Sequence, residues 1–393
     1  MLPVAIVGAG VGGLTTALAL AQRGHSVTLV ERRTGFSEAG AGIQLSPNAS
    51  RVLADLGLEA ALRRAASEPE RVVIRARASG RALGEIALSD MRARFGAPYA
   101  VIHRADLQTL LLDAVRSRAN VRLMMGRAAI AAEQDDASAA VTVEKADGAR
   151  EVLRADVVVG ADGLWSAVRA ATGDARAPAY RGHAAWRATV PREAAPAELS
   201  GPETGLWLGR GGHVVHYAIA RGRLINVVAV ERRAKPVEGW SAPGDRAELL
   251  SAFANAAPPL RRLLEAAPEW RLWSLYDLPA RTMVRGRIAL LGDAAHPVLP
   301  FLAQGGALAI EDAAVLTAHL TANADPAAAL AAYAAARLGR VRRVQSTARR
   351  NGFAYHTAGP AAWVRDAILR RTGPHGMADR YAWVYGWTPA GIA

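Results

Sequence analysis

The chain is 393 residues long and 51% hydrophobic, enough to bury a large core and to form two or three domains. Its formal charge of +13 comes almost wholly from arginine, because lysine stands only at positions 145 and 235, and the arginines lack the interleaved aromatic residues of a nucleic-acid surface. No cysteine is present, which excludes disulfides, thiolate metal sites, a cysteine-linked flavin and a dithiol redox relay.

The first residues, MLPVAIVGAGVGG, carry neither a basic n-region nor a small-residue cleavage site, so they read as the start of a domain and not as a signal peptide. No uncharged apolar run approaches the roughly 18 residues of a membrane span. These features predict a cytoplasmic enzyme with no nucleic-acid partner and no membrane span, and they leave open whether it is a monomer or homodimer.

Residues 3–7, PVAIV, have the pattern of a fully buried parallel strand, and Gly8, Gly10 and Gly13 then follow in G-x-G-x-x-G spacing. Leu14, Ala17, Leu18 and Ala21 recur on one helical face, Gly24 ends the helix, and SVTLVE forms a second strand ending in Glu31. In this strand-helix-strand unit the first glycine makes the turn, the second lets backbone approach a pyrophosphate, and the third lets helix and strand touch. The pyrophosphate sits on the free amides of the helix N-terminus. Glu31, about 20 residues past Gly8, is placed to accept the adenosine ribose hydroxyls. The loop predicts a dinucleotide site without separating FAD from NAD.

Further along, RVVIRARASGRALGEIAL predicts a hairpin, and a second hairpin turning at Asp147-Gly148 leads into the apolar strand VVVGADG, which ends at Asp162-Gly163. Between Arg176 and Ala280 short alternating strands, among them HAAWRATV, GLWLG, HVVHYAIA and RLINVVAV, predict an antiparallel sheet, with Gly209 to Gly212 as a hairpin turn. On HVVHYAIA the two-residue period puts His213, Val215 and Tyr217 on one face and His216 on the other. A neutral imidazole is suited to take a phenolic proton near neutral pH, with Tyr217 relaying it or orienting the ring. Both also read as ordinary partly buried strand residues. A last buried strand from Ile288 stops at Gly292-Asp293, where a carboxylate faces a ligand crevice and suits a ribityl hydroxyl. Gly305 and Gly306 open a helix whose amides favour an anion such as reduced flavin. His296, before a proline, reads as a hydrogen-bonding partner without a chemical role, and no His and carboxylate cluster has metal spacing.

The G-x-G-x-x-G loop, ADG-x-x-S-x-x-R at Ala161 to Arg169, and GDAAHP at Gly292 to Pro297 occur in that order along nearly the whole chain. In this it resembles the FAD-dependent aromatic hydroxylases, and most the salicylate hydroxylase, 3-hydroxybenzoate 6-hydroxylase and 6-hydroxynicotinate 3-monooxygenase branch. The resemblance implies an α/β fold: a Rossmann-like FAD-binding domain of the p-hydroxybenzoate hydroxylase kind, an inserted antiparallel substrate sheet and a C-terminal helical segment. The expected division is 1–70, 98–175 and 281–350 for FAD, 71–97 and 176–280 for the substrate sheet, and 351–393 for the C-terminal segment.

By position, the resemblance further implies that Gly8, Gly10, Gly13, Glu31 and Arg32 hold the ADP half of non-covalent FAD and Arg104 lies near the pyrophosphate. Asp162 would contact pyrophosphate or NAD(P)H, Asp293 the ribityl chain, and Gly305 and Gly306 the flavin ring. Arg104 also reads as a surface arginine before a helix with Asp106 as its N-cap. The implied activity is hydroxylation of a small aromatic or hydroxy-heteroaromatic acid with NADH or NADPH and O2, through a flavin C4a-hydroperoxide. Pro300 stands where the 3-hydroxybenzoate 6-hydroxylase pattern has glutamine, which argues against that particular substrate. Two other readings stay open: a flavoenzyme of this fold with different chemistry (epoxidase, decarboxylating hydroxylase or reductase), and a non-catalytic nucleotide-binding protein.

Overall fold

The apolar run at the N-terminus forms strand Pro3–Val7, which pairs in parallel with Ser26–Glu31 on one side and Val157–Gly160 on the other. Val121–Met125 and Ile288–Leu290 extend this sheet, and Val284–Arg285 closes it as an antiparallel edge, six strands in all. Its central strands are apolar because helices cover the sheet, and every position but Pro3 at the strand start is buried. Helix Val11–Gln22 packs between Arg104–Arg116 and Gly305–Ala322. Strands Arg127–Gln134, Ala139–Lys145 and Arg150–Ala155 form a small antiparallel sheet beside them. The computed structural model describes residues 1–36, 41–239 and 241–389.

The second large sheet has eight strands and holds all four of the short strands expected between Arg176 and Ala280. The hairpin Arg71–Ala76 and Ala82–Ala87 joins it, but through a parallel pairing with Glu203–Gly209, the one non-antiparallel junction in that sheet. Its outer face buries Trp186, Trp207 and Trp270 against helices Arg246–Ala252 and Pro258–Glu265. Directly paired residues share a face, so the inner face carries successive rows: His213, Val230 and Ala185, then Val215, Val228 and Arg187, then Tyr217, Asn226 and Thr189. Phe301 and Tyr355 cover the first row.

Helix Pro326–His356 runs unbroken through position 350, where the sequence suggested that a C-terminal segment begins. Its periodic apolar face, Leu330, Tyr333, Val341 and Val344, simply continues onto the core, and the chain first turns away at Thr357. Helices Pro360–Thr372, Pro374–Arg380 and Ala382–Tyr385 follow.

Beneath the sheet crevice lies a buried ionic cluster. Arg337 Nε donates to Asp312 Oδ1 at 2.7 Å and its NH2 group lies 2.8 Å from Glu311 Oε2, while Arg340 reaches Glu311 at 2.6 Å. Asp312 Oδ2 accepts the Gly292 amide at 2.9 Å and lies 2.6 Å from His296 Nε2. Burial raises the Asp312 carboxyl, but His296 and Arg337 outweigh it and hold it near 2. Because the folded value lies below the ordinary 3.8, the stabilisation from Asp312 is complete above about pH 4 and is lost as pH falls towards 2. Replacing Asp312 by Ala leaves Arg337 buried with only Glu311 for a partner, and we expect a loss of about 3–5 kcal/mol in urea unfolding at neutral pH. Below about pH 2 the difference between wild type and variant should shrink; a gap independent of pH would rule out this ionisation as its source.

Candidate active site

The glycine loop is built from three different constraints. Gly8 has φ +101°, and a Cβ there would stand 2.4 Å from the Ala161 carbonyl oxygen; one on Gly13 would stand 1.8 Å from the Gly8 oxygen. Around Gly10 a Cβ would meet nothing within 4 Å, so that position faces open space. The helix behind it starts without a side-chain cap, leaving its first amides free for an anion. Glu31 does more than sequence suggests: Oε2 accepts the Ala9 amide at 2.9 Å and Oε1 the Arg33 amide at 3.0 Å, so the carboxylate braces the loop. Gln108 donates to the Ala9 oxygen at 2.9 Å from the other side. Arg32 is exposed at the end of the second strand.

The two aspartate loops meet this one. Asp162 Oδ2 accepts the Ala167 and Val168 amides, while its Oδ1 is buried without a partner; burial pushes the carboxyl up despite those bonds. Arg169 donates to the Ala294 carbonyl at 2.8 Å and the Leu164 carbonyl at 2.6 Å, fastening the ADG loop to the GDAAHP loop. Asp293 is open to solvent, yet the protein around it pushes its carboxyl up, against the pull of His296, Arg104, Arg169 and Arg187. A group lining a narrow crevice has both properties. Arg104 begins helix Arg104–Arg116, but the N-cap is His103 and Asp106 stands in the first turn, so Asp106 does not cap it. Arg104 is exposed, so the surface half of its alternative reading stands, while the capping half fails because the strand Ala100–His103 runs directly into the helix.

Gly305 and Gly306 begin helix Gly305–Ala322, again without a side-chain cap. Gly306 is needed inside the protein, since a Cβ would lie 2.6 Å from Ile43 Cδ1, whereas Gly305 has room for one, with its nearest neighbour Val298 at 3.6 Å. The preceding Ala303 sits at φ +53°, a left-handed conformation that costs about 1–2 kcal/mol for a non-glycine residue. The adjacent Gln304 is locked by Ser46 at 2.8 Å and Asn48 at 3.1 Å.

His213 and Tyr217 lie on the crevice side of the sheet, 3% exposed each. Burial, then His356, His183 and Arg77, push the His213 imidazole well below its ordinary value, so it is neutral near pH 7. Among the described residues His213 Nε2 has no hydrogen-bond partner, and the residue keeps 3% exposure where His216 has none. Burial raises the Tyr217 hydroxyl, which therefore stays protonated. His216, on the other face, packs on Trp207 and lines no crevice.

Sequence reasoning missed Arg187 and Asn226. Arg187 stacks on Trp273 at 5.2 Å and has a buried Nε without a partner. Burial and then Arg104 lower its pKa, while Tyr217 and Asp293 raise it. Its charge is thus felt both by the cofactor-side loop and by the sheet. A lone arginine in the apolar strand HAAWRATV was the available signal. Asn226, fully buried, accepts the Gly42 amide at 2.7 Å and leaves its Nδ2 without a partner. The open side of Gly10, the uncapped helix, the crevice carboxylate of Asp293 and the orphaned donors of Arg187 and Asn226 fit an FAD molecule with an aromatic substrate beside it.

A family model described as FAD binding domain matches residues 1–348. The 3-amino-4-hydroxybenzoate 2-monooxygenase PtnB3 of Streptomyces platensis is 38% identical, covering 99% of this chain and 97% of that protein. A 3-hydroxybenzoate 6-hydroxylase of Polaromonas naphthalenivorans is 34% identical over 98% and 96% of the two chains. Among solved structures, Klebsiella pneumoniae HpxO complexed with FAD and uric acid superposes with a TM-score of 0.85 at 28% identity, covering 98% of this chain and 96% of that one.

The glycines give a separable test. Gly10→Ala should leave folding unchanged and weaken flavin retention, read as the ratio of flavin to protein absorbance and by circular dichroism. Gly13→Ala should damage the fold itself, because its Cβ has no room. Equal flavin retention by Gly10→Ala and wild type would show that the open side of the loop is not the cofactor side.

Proposed function

The chain belongs to the family of FAD-dependent aromatic hydroxylases, and we propose that its own substrate is a benzoate carrying a ring hydroxyl, oxidised with NADH or NADPH and O2. The observation that carries this is Arg187, whose buried Nε has no partner and whose charge is felt at both Tyr217 and Asp293, on the sheet face that also carries His213. An anionic aromatic ring suits that arrangement.

Bound FAD supplies hydride acceptance and oxygen activation. In this reading Gly8, Gly10, Gly13, Glu31 and Arg32 hold its ADP half, with Arg104 and Asp162 near the pyrophosphate, Asp293 at the ribityl chain, and Gly305 and Gly306 at the ring. The parts 1–70, 98–175 and 281–350 serve the cofactor, while 71–97 and 176–280 cover the substrate. Arg187 and Arg104 offset negative charge in the crevice. His213 Nε2 takes the ring hydroxyl proton, and Tyr217, which stays protonated, orients the ring by hydrogen bonding. The apolar first row with Phe301 and Tyr355 excludes water from the reacting face. No helix among the described residues is long and apolar enough to cross a membrane. In this reading the enzyme is cytoplasmic and a monomer or homodimer.

An oxygen-uptake screen with 3-amino-4-hydroxybenzoate, 3-hydroxybenzoate, salicylate and 6-hydroxynicotinate, each with NADH and NADPH, tests the assignment. We expect ligand-dependent NAD(P)H oxidation and a product heavier by one oxygen atom; a purified protein without flavin and without such oxidation would end this reading. His213→Ala should retain FAD and lower hydroxylation by about 10²–10⁴, and unchanged turnover would remove His213 from the chemistry.

A further inference from the structure

His213 does not stand alone. Its Nδ1 lies 2.8 Å from His356 Nε2, at the last turn of helix Pro326–His356, and His356 Nδ1 lies 3.2 Å from His183 Nε2 on the neighbouring part of the sheet. His183 Nδ1 in turn lies 2.8 Å from the Arg181 carbonyl oxygen. A carbonyl only accepts, so His183 carries its proton on Nδ1 and presents a bare Nε2. That Nε2 must accept, so His356 is protonated on Nδ1, and by the same step so is His213. One backbone carbonyl therefore sets three tautomers and leaves the His213 Nε2 lone pair as the acceptor at the inner end. The chain runs outward: His213 is buried, while His356 and His183 are half-buried.

We propose that His213, His356 and His183 form a conduit that carries the ring-hydroxyl proton of the substrate from the pocket to solvent. This rests on the proposed substrate class. His213 touches the substrate; His356 and His183 act through it and are positioning residues. The O–H bond of the substrate breaks as N–H forms at His213 Nε2. The His213 Nδ1–H passes to His356 Nε2, the His356 Nδ1–H passes to His183 Nε2, and the His183 Nδ1–H leaves its exposed bond to the Arg181 carbonyl for water; a proton returning by the same path as the product's ring hydroxyl reforms restores the three tautomers. One proton has moved from the ring hydroxyl to solvent, leaving phenolate, and no electron changes hands.

A conduit answers a difficulty that a lone base would meet. Burial holds His213 well below its usual value and pushes His356 down to about 3, with Arg77 facing both and Arg232 facing His356 and His183. The rings are disfavoured from holding a second proton, so a base here works by handing the proton on. The packing keeps the rings in line. Phe301 meets all three edge-on at 5.3 to 6.0 Å, and Tyr355 meets His213 at 5.3 Å. Gly352 admits that phenyl ring, since a Cβ would stand 2.4 Å from it. The nitrogens point at one another and not at a common centre, and among the described residues no group of such side chains has the geometry to hold a metal.

Holoenzyme mixed rapidly with 4-hydroxy-3-nitrobenzoate reports ionisation of the bound ring by its colour and proton release by an indicator dye. His356→Gln keeps an acceptor for the His213 Nδ1–H but cannot pass a proton on, whereas His356→Ala loses both functions. Ionisation should slow by about a hundredfold in each at unchanged ligand affinity, with free imidazole restoring His356→Ala and not His356→Gln. A merely orienting role predicts instead that His356→Gln matches wild type, and that result would overturn the conduit. If either His356 variant fails to hold FAD, His183→Gln at the half-buried end decides: slowed proton release supports the conduit and wild-type release overturns it. Wild type that neither binds nor hydroxylates any hydroxybenzoate would overturn the substrate assignment and the conduit together. Wild type that does both while the variants match it would overturn the conduit alone.

Discussion

The carboxylate of Asp312 is the point on which the crevice depends. With two oxygens it holds the Gly292 amide, His296 and Arg337, tying the loop that carries Asp293 to two long helices. Glu311, one residue earlier, holds Arg340 and, through Asn48 and Gln304, the entrance to helix Gly305–Ala322. Arg340 also donates to the carbonyls of Trp383 and Val384, so the C-terminal helices hang from the same charge cluster. A buried ionic group of this kind stabilises weakly when judged against apolar packing, but it fixes direction. Here it fixes the floor of a crevice whose walls come from elements far apart in sequence.

Much of the cofactor side was readable in one dimension because each motif is local. Glycines at fixed spacing, a buried strand before them and an acid at the end of the next strand describe one strand-helix-strand unit, and the unit folds as written. The two-residue period likewise placed His213 and Tyr217 together and His216 apart. What escaped were contacts closed by tertiary packing. Gln108 meets Ala9 from 99 residues away, Arg169 meets Ala294 across 125, and His356 meets His213 across 143. Nor could the sequence show that Ile43 lies against Gly306, where a Cβ would stand 2.6 Å from its Cδ1. Arg187 was visible only as an anomaly, a charge inside an apolar strand, and nothing nearby in sequence said which side it would face.

The excess of arginine takes a different meaning in three dimensions. Several of these side chains are internal: Arg169 sews two loops, Arg337 lies inside the ionic cluster, Arg77 is wedged against Phe253 at 5.0 Å, and Arg187 lies on Trp273. A planar, weakly hydrated cation that stacks and donates in several directions tolerates such positions better than an ammonium. Part of the chain's positive charge is therefore structural.

The parallel junction between Arg71–Ala76 and Glu203–Gly209 bears on how the chain is made. During synthesis the hairpin at residues 71–87 emerges more than a hundred residues before the strand it must join. Strand Val157–Gly160 waits in the same way for Ile288–Leu290. Neither sheet closes until most of the polypeptide has left the ribosome, so apolar strand edges stay uncovered through translation. Such edges are open to pairing with other chains until the partner strands emerge, and cutting the chain anywhere before residue 288 removes a strand from the nucleotide sheet.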